Sequence, residues 1–197
     1  MFAKLNLPLN PTQPNFNVTE DFARYVMFNY LPIEPKALSD DVQEAFNSRG
    51  LEIGGVILFR RKTNSYCPAH SDVLWRDGSW MRWNCAVNWN LLQTPSVMQW
   101  YQVDLPEVLP NAGLNDQPIE YSLSGIHFGA RGNRDHDQNF HLVAETDLML
   151  PTLVRTDIPH TIKNHDQRDR WCLSVRFKEN LTFSQVSEML KDLVVGD

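Results

Sequence analysis

The stretch WMRWNCAVNWNL, residues 80–91, alternates apolar and polar side chains. Met81, Trp83, Cys85, Val87, Trp89 and Leu91 take the odd positions, and Arg82, Asn84, Ala86, Asn88 and Asn90 the even ones. Successive side chains of a strand point to opposite faces, so this spacing predicts a β-strand with one apolar and one polar face. The run RWCLSVRF at 170–177 repeats the arrangement, with Trp171, Leu173, Val175 and Phe177 opposite Arg170, Cys172, Ser174 and Arg176. A polar face that meets water is the plain reading of either strand alone. Asn is a poor strand former, however, and a strand that only has to be wetted has better choices. The alternative is that the apolar faces pack beneath helices and the polar faces line the inside of a small barrel, where each polar group needs a partner.

Helices to cover those apolar faces are expected at both ends of the chain. One is predicted over 19–30, with Thr19 as cap and Glu20 and Asp21 in its first turn. Another is predicted over 39–49, capped by Ser39 and ended by Gly50. The tail at 183–194 reads as an amphipathic helix opened by a Thr182–Gln185 capping box, with Phe183, Val186, Leu190 and Leu193 on one side. Further strands are expected at 54–61, 96–103, 140–146, 152–156 and 160–164. Pro8, Pro11 and Pro14 make the first 17 residues an irregular arm, and 104–139 is a long segment of weak periodicity, the kind that usually carries function. The expected fold is mainly β with flanking helices, a sandwich or barrel in one domain. Residues 1–53 form an arm and supporting helices, 54–178 the β core with 104–139 as a loop or lid, and 179–197 the C-terminal helix.

The 197 residues are 42% hydrophobic and 21% charged, the balance of an ordinary globular domain with a sizeable core. A formal charge of −6 offers no general attraction to phosphate backbones or anionic membranes. A small molecule or a peptide is the expected partner, and nucleic acid is not. Cys67, Cys85 and Cys172 are odd in number and contain no Cys-x-x-Cys pair, which argues against a disulfide framework or a structural zinc site and for a reducing compartment. The opening MFAKLNLPLNPTQPNF lacks an apolar signal core, and no stretch nears the roughly 20 apolar residues of a membrane span. The expected location is the cytoplasm.

His70 and Asp72, in AHSD, lie two apart, on one side of an extended segment. Two imidazoles and one carboxylate with open positions suit non-haem Fe(II). The third ligand must come from His127, His136, His141, His160 or His165, and His160 stands out. It opens a strand, and Arg170 follows ten residues later across an apparent turn at 164–169. Read as a hairpin, that turn brings a cation to the strand beside the metal. Oxygen-activating iron enzymes need an electron source. 2-Oxoglutarate serves as one by chelating the iron through its keto acid while its far carboxylate rests on a cation, for which a guanidinium is well shaped.

These residues, HSD at 70–72, PHTIKN at 159–164 and then Arg170, resemble the Fe(II)- and 2-oxoglutarate-dependent oxygenases of double-stranded β-helix (jelly-roll, cupin-like) fold. The likeness covers roughly 54–178 and looks nearest to the aspartyl/asparaginyl β-hydroxylase-like branch and to phage-type oxygenases of similar size. It implies a dioxygenase in which His70, Asp72 and His160 hold Fe(II). Arg170 would bind 2-oxoglutarate, assisted by Arg82 and Asn84 at the place of that branch's Arg-x-His pair, with Ser174 as a further candidate. Two departures stand out: the branch commonly lacks the carboxylate that Asp72 supplies, and Asn84 stands where its His is expected. In the long segment, His127, His136 and His141 read as solvent-exposed. The alternative is a substrate-contacting lid to which His127, Arg131 and Arg134 contribute. Two other functions stay open: a non-catalytic jelly-roll binding module, and a cupin-type metalloenzyme that does not use 2-oxoglutarate.

Overall fold

The computed structural model describes residues 1–14, 16, 30–63, 69–76, 79–104, 107–108, 123–128 and 139–196, with the backbone alone for 74–76, 80, 107–108 and 123–128. The helix expected over 19–30 lies outside these except for Tyr30, as do Cys67, Arg131, Arg134 and His136. In chain order the described strands are β1 (Phe2–Lys4), β2 (Tyr30–Ile33), β3 (Ile53–Arg61), β4 (His70–Arg76), β5 (Ser79–Arg82), β6 (Cys85–Asn90) and β7 (Ser96–Val103). They continue with β8 (Glu107–Val108), β9 (Leu123–Phe128), β10 (Phe140–Asp147), β11 (Thr152–Arg155), β12 (His160–Asn164) and β13 (Arg170–Phe177). Helix α1 spans Asp40–Asn47 and α2 Phe183–Met189. The strands form two sheets, one ordered β1-β11-β6-β13-β3-β2 and the other β10-β7-β12-β4-β9-β8, with β5 added on β4. Every pairing between them is antiparallel.

Alternation in β6 and β13 sets how the layers meet. These neighbours pair in a register that puts Leu173 opposite Trp89 and Val175 opposite Val87, so their apolar side chains form one continuous face. That face packs under Leu5, Leu7, Val42 and Phe46 from the N-terminal part and under Val186 and Leu190 at the C-terminus. Phe46 sits edge-on to Phe177 at 5.3 Å and to Trp89 at 6.1 Å, and the Trp89 indole donates to the Pro8 carbonyl. The polar faces turn the other way, toward the second sheet. Arg170 reaches Ser96 of β7, Arg176 reaches Asp72 of β4, and Ala86 packs with Met98 and Trp100. The polar faces of β6 and β13 therefore lie between the two sheets.

Both terminal helices form, shorter than expected. Ser39 stands at the N-cap of α1 without making a side-chain cap bond, and Gly50, at a φ of 74°, ends the turn beyond it. The Thr182–Gln185 capping box opens α2, which closes at Met189 and hands over to a 3-10 turn at Lys191–Leu193.

Several expectations need correction. The run 80–91 is two strands in different sheets, because the chain crosses between layers at Trp83 and Asn84. There the Trp83 N–H donates to the Asp72 carbonyl and the Thr156 N–H to that of Asn84. The turn at 164–169 is no hairpin: β12 and β13 belong to opposite sheets, and the Asn164 amide ties the crossing to the carbonyls of Lys62 and Arg168. The N-terminal arm contributes β1, which pairs with β11, and the long segment contributes β8 and β9. Among the described residues no helix is long and apolar enough to cross a membrane.

Candidate metal centre

His70 and Asp72 share one face of β4, as their spacing requires. Across the sheet, β12 pairs with β4 so that His160 is the register partner of His70. The two imidazoles lie 4.6 Å apart, and both approach the Asp72 carboxylate, His70 Nε2 at 3.4 Å and His160 Nε2 at 3.8 Å from Oδ1. One donor atom from each of the three falls within 4.8 Å of the others. Metal–ligand bonds of roughly 2.1 Å put neighbouring ligand atoms roughly 3–3.5 Å apart, so the group needs only a small contraction to hold a divalent ion. The position is confined on the His160 side, which is buried, and more open at His70.

The surroundings prepare the donors. His160 Nδ1 is 2.9 Å from the Ile158 carbonyl, which accepts a hydrogen bond from Nδ1–H and so leaves Nε2 with its lone pair free. Burial, reinforced by the neighbouring His70, pushes the His160 imidazole down to about 4, so it is neutral, as a ligand must be. Burial alone would raise the Asp72 carboxyl. Arg176, with help from His70 and His160, instead holds it well below the usual carboxylate range. Arg176 Nη2 donates to Asp72 Oδ2 at 2.5 Å and Nη1 to the Thr156 hydroxyl, while the guanidinium lies over the Trp83 ring. One carboxylate oxygen thus faces the imidazoles and the other is held by a cation.

Arg170 stands on the inner face of the opposite sheet and is 1% exposed. Its Nε donates to Ser96 Oγ at 2.9 Å, and its Nη2 has no hydrogen-bond partner among the described residues. Ser174 Oγ and Asn88 Oδ1, on register partners of adjacent strands, are buried and unpartnered in the same way. A buried cation without an anion and a cluster of unmet polar atoms is costly unless something polar is bound there.

Other expected site residues are placed differently. Arg82 pairs with Val73, which puts it on the face of β4 away from His70 and Asp72, where it donates to Ser71 Oγ and the Asp157 carbonyl. Asn84 is bonded to Asn180 through both its backbone N–H and its side-chain amide. His127 is the backbone register partner of His70, with its side chain outside the description. His141 is exposed and 3.1 Å from Asp104, and His165 is exposed. Trp100, a register partner of His160, is the member of the Trp100–Tyr101 pair that faces inward. Sequence reasoning set Arg176 and Asn88 on the polar faces without giving them a role. Nothing in the sequence near Ser96 marked it as a partner for Arg170.

Compared with known proteins, the chain matches no family model and no curated protein.

Proposed function

We propose that the protein is an Fe(II)- and 2-oxoglutarate-dependent dioxygenase that hydroxylates a small molecule or a peptide side chain. We also propose that its two sheets form a double-stranded β-helix. The course of the chain supports the second point. Strands β3, β6, β11 and β13 fall in one sheet and β4, β7, β10 and β12 in the other, so the chain passes repeatedly between layers. The reading of function is carried by Arg170, a buried guanidinium with no carboxylate partner among the described residues and one unmet N–H, inside a fold that also brings together a buried imidazole, a buried carboxylate and a half-buried imidazole.

On this reading His70, Asp72 and His160 hold the iron through His Nε2 and Asp72 Oδ1. Arg176 keeps Asp72 ionised and fixes its second oxygen. Arg170 receives the far carboxylate of 2-oxoglutarate, and Ser174 and Asn88 offer further polar atoms along the same face. Bound iron would supply the redox chemistry: one atom of O2 enters the substrate C–H bond as hydroxyl and the other enters succinate as 2-oxoglutarate loses CO2, the C–H bond and the keto acid giving two electrons each. The chain's own part is to orient 2-oxoglutarate through Arg170 and to keep the His160 imidazole neutral.

The test is anaerobic addition of Fe(II) and then 2-oxoglutarate to metal-free protein, watching for the weak visible charge-transfer band of an iron-chelated keto acid. The band is expected in the wild type, is lost in His160→Ala and needs at least tenfold more 2-oxoglutarate in Arg170→Ala. Iron binding without a band would refute the cosubstrate and leave a cupin-type metalloenzyme. No iron binding would leave a binding module.

A further inference from the structure

On the far side of Arg176 from the candidate ligands the fold leaves a cavity of about 310 Å³, walled by Tyr30, Pro32, Ile33, Ile57, Trp83 and Arg176 among others and by none of His70, Asp72 and His160. That is the space of roughly ten waters and falls at the small end of ligand pockets. Arg176 joins it to the candidate site, since the guanidinium that forms part of the wall is also bonded to Asp72. The described wall keeps no spare charge for an ion. Arg176 is matched by Asp72, and Glu34, the one carboxylate of the wall, pairs with Lys36 at 2.7 Å. What remains is proline, aliphatic and aromatic surface, with one N–H of Arg176, at Nε, unpartnered among the described residues.

The backbone keeps this space open. Gly55 also lines the cavity and is the register partner of Arg176, so the two positions share a face of their sheet. A Cβ built on Gly55 meets nothing within 4 Å. A side chain there would project into the cavity without displacing the strand.

We propose that this cavity receives the compound to be oxidised, and that the compound is a small uncharged molecule with an apolar carbon skeleton. That it is oxidised there rests on the dioxygenase reading; that it binds there follows from the wall. An apolar body gains from leaving water, and an ion would lose its hydration without finding a partner.

Two probes with one skeleton separate the cases: uncharged N-phenyl-1-naphthylamine and its sulfonated analogue 1-anilinonaphthalene-8-sulfonate. Each is titrated by fluorescence into metal-free full-length protein, Gly55→Ala and Gly55→Leu, with thermal melting by circular dichroism to verify folding. The uncharged probe should bind the wild type at one site, at least tenfold tighter than the sulfonate. Gly55→Leu should weaken it at least tenfold and Gly55→Ala by less. Equal affinity in wild type and folded Gly55→Leu, or a preference for the sulfonate, overturns the proposal. Should Gly55→Leu not fold, Gly55→Ala and the wild-type preference decide. The keto-acid band, recorded on the same proteins, separates the two claims. A band that persists while probe affinity is unmoved by Gly55→Leu removes the cavity and spares the dioxygenase, whereas probe loss with no band in any protein does the reverse.

Discussion

Lowering the pH from 7 to 5 in the presence of a chelator should destabilise the metal-free protein, and His160 sets the size of the effect. Its imidazole titrates near 4 when folded and near 6.5 when unfolded. The unfolded chain therefore takes up a proton below about 6.5 that the folded chain refuses, so stability falls as the pH drops and stops falling once the pH passes below about 4. Between pH 7 and 5 the difference in proton uptake amounts to about 2 kcal/mol. Asp72 does not confound this window. Its folded value is depressed, so its contribution is complete above the unfolded carboxylate range and is lost only at lower pH. The variant His160→Asn keeps an amide N–H where Nδ1 faces the Ile158 carbonyl but cannot titrate. Urea unfolding of both proteins at the two pH values gives the comparison, with the variant expected to lose about 2 kcal/mol less than the wild type on acidification. Equal losses would show that His160 takes up its proton as readily in the fold as in the unfolded chain and is not the prepared ligand described here.

Removing Arg176 with Arg176→Met leaves a buried carboxylate without its cation and should cost about 3–5 kcal/mol by urea unfolding, of which the double variant Asp72→Asn/Arg176→Met recovers a large part. A single-variant loss under about 1 kcal/mol would mean that Asp72 does not depend on Arg176. Phe46→Ala empties the fully buried contact between α1 and the apolar faces of β6 and β13, and should cost about 3–5 kcal/mol in the same assay without altering iron binding.

How far the sequence spoke depended on whether a feature is written in neighbouring residues. Strands β7, β12 and β13 begin and end at the residues expected from the sequence, 96–103, 160–164 and 170–177. The pairing of His70 with Asp72 is a property of the two-residue repeat, and Ala86, Asn88 and Arg170 face inward because alternation gave them no other face. The break at Trp83–Asn84 was hidden for the same reason: alternation runs unbroken through it, so nothing local marks the change of sheet. Arg176 shows a second limit. Parity gives its face, but its contact with Asp72 depends on how two sheets lie on each other across a sequence separation of 104. β1 is three residues long at the head of an irregular arm and gains its strand character from pairing with β11.

The candidate ligands sit where the chain changes sheets, and this bears on how metal binding relates to folding. Asp72 is held on both sides of its backbone, its N–H donating to the Thr156 carbonyl and its own carbonyl accepting from Trp83. Trp83 leads toward β6 and Thr156 comes away from β11, so the backbone bonds that fix Asp72 are the ones that hold the two crossings together. His160 is fixed by its bond to Ile158 and by its place opposite His70. None of these restraints needs an ion, unlike those of small metal-folded domains whose ligands converge only on binding. Divalent metal should therefore raise the urea midpoint in proportion to the logarithm of its excess over Kd while leaving the slope of the transition unchanged, because the surface exposed on unfolding is already buried in the metal-free protein. A slope that steepens with metal would show that the ligand segments order only when the ion arrives, and that the crossings do not hold the site by themselves.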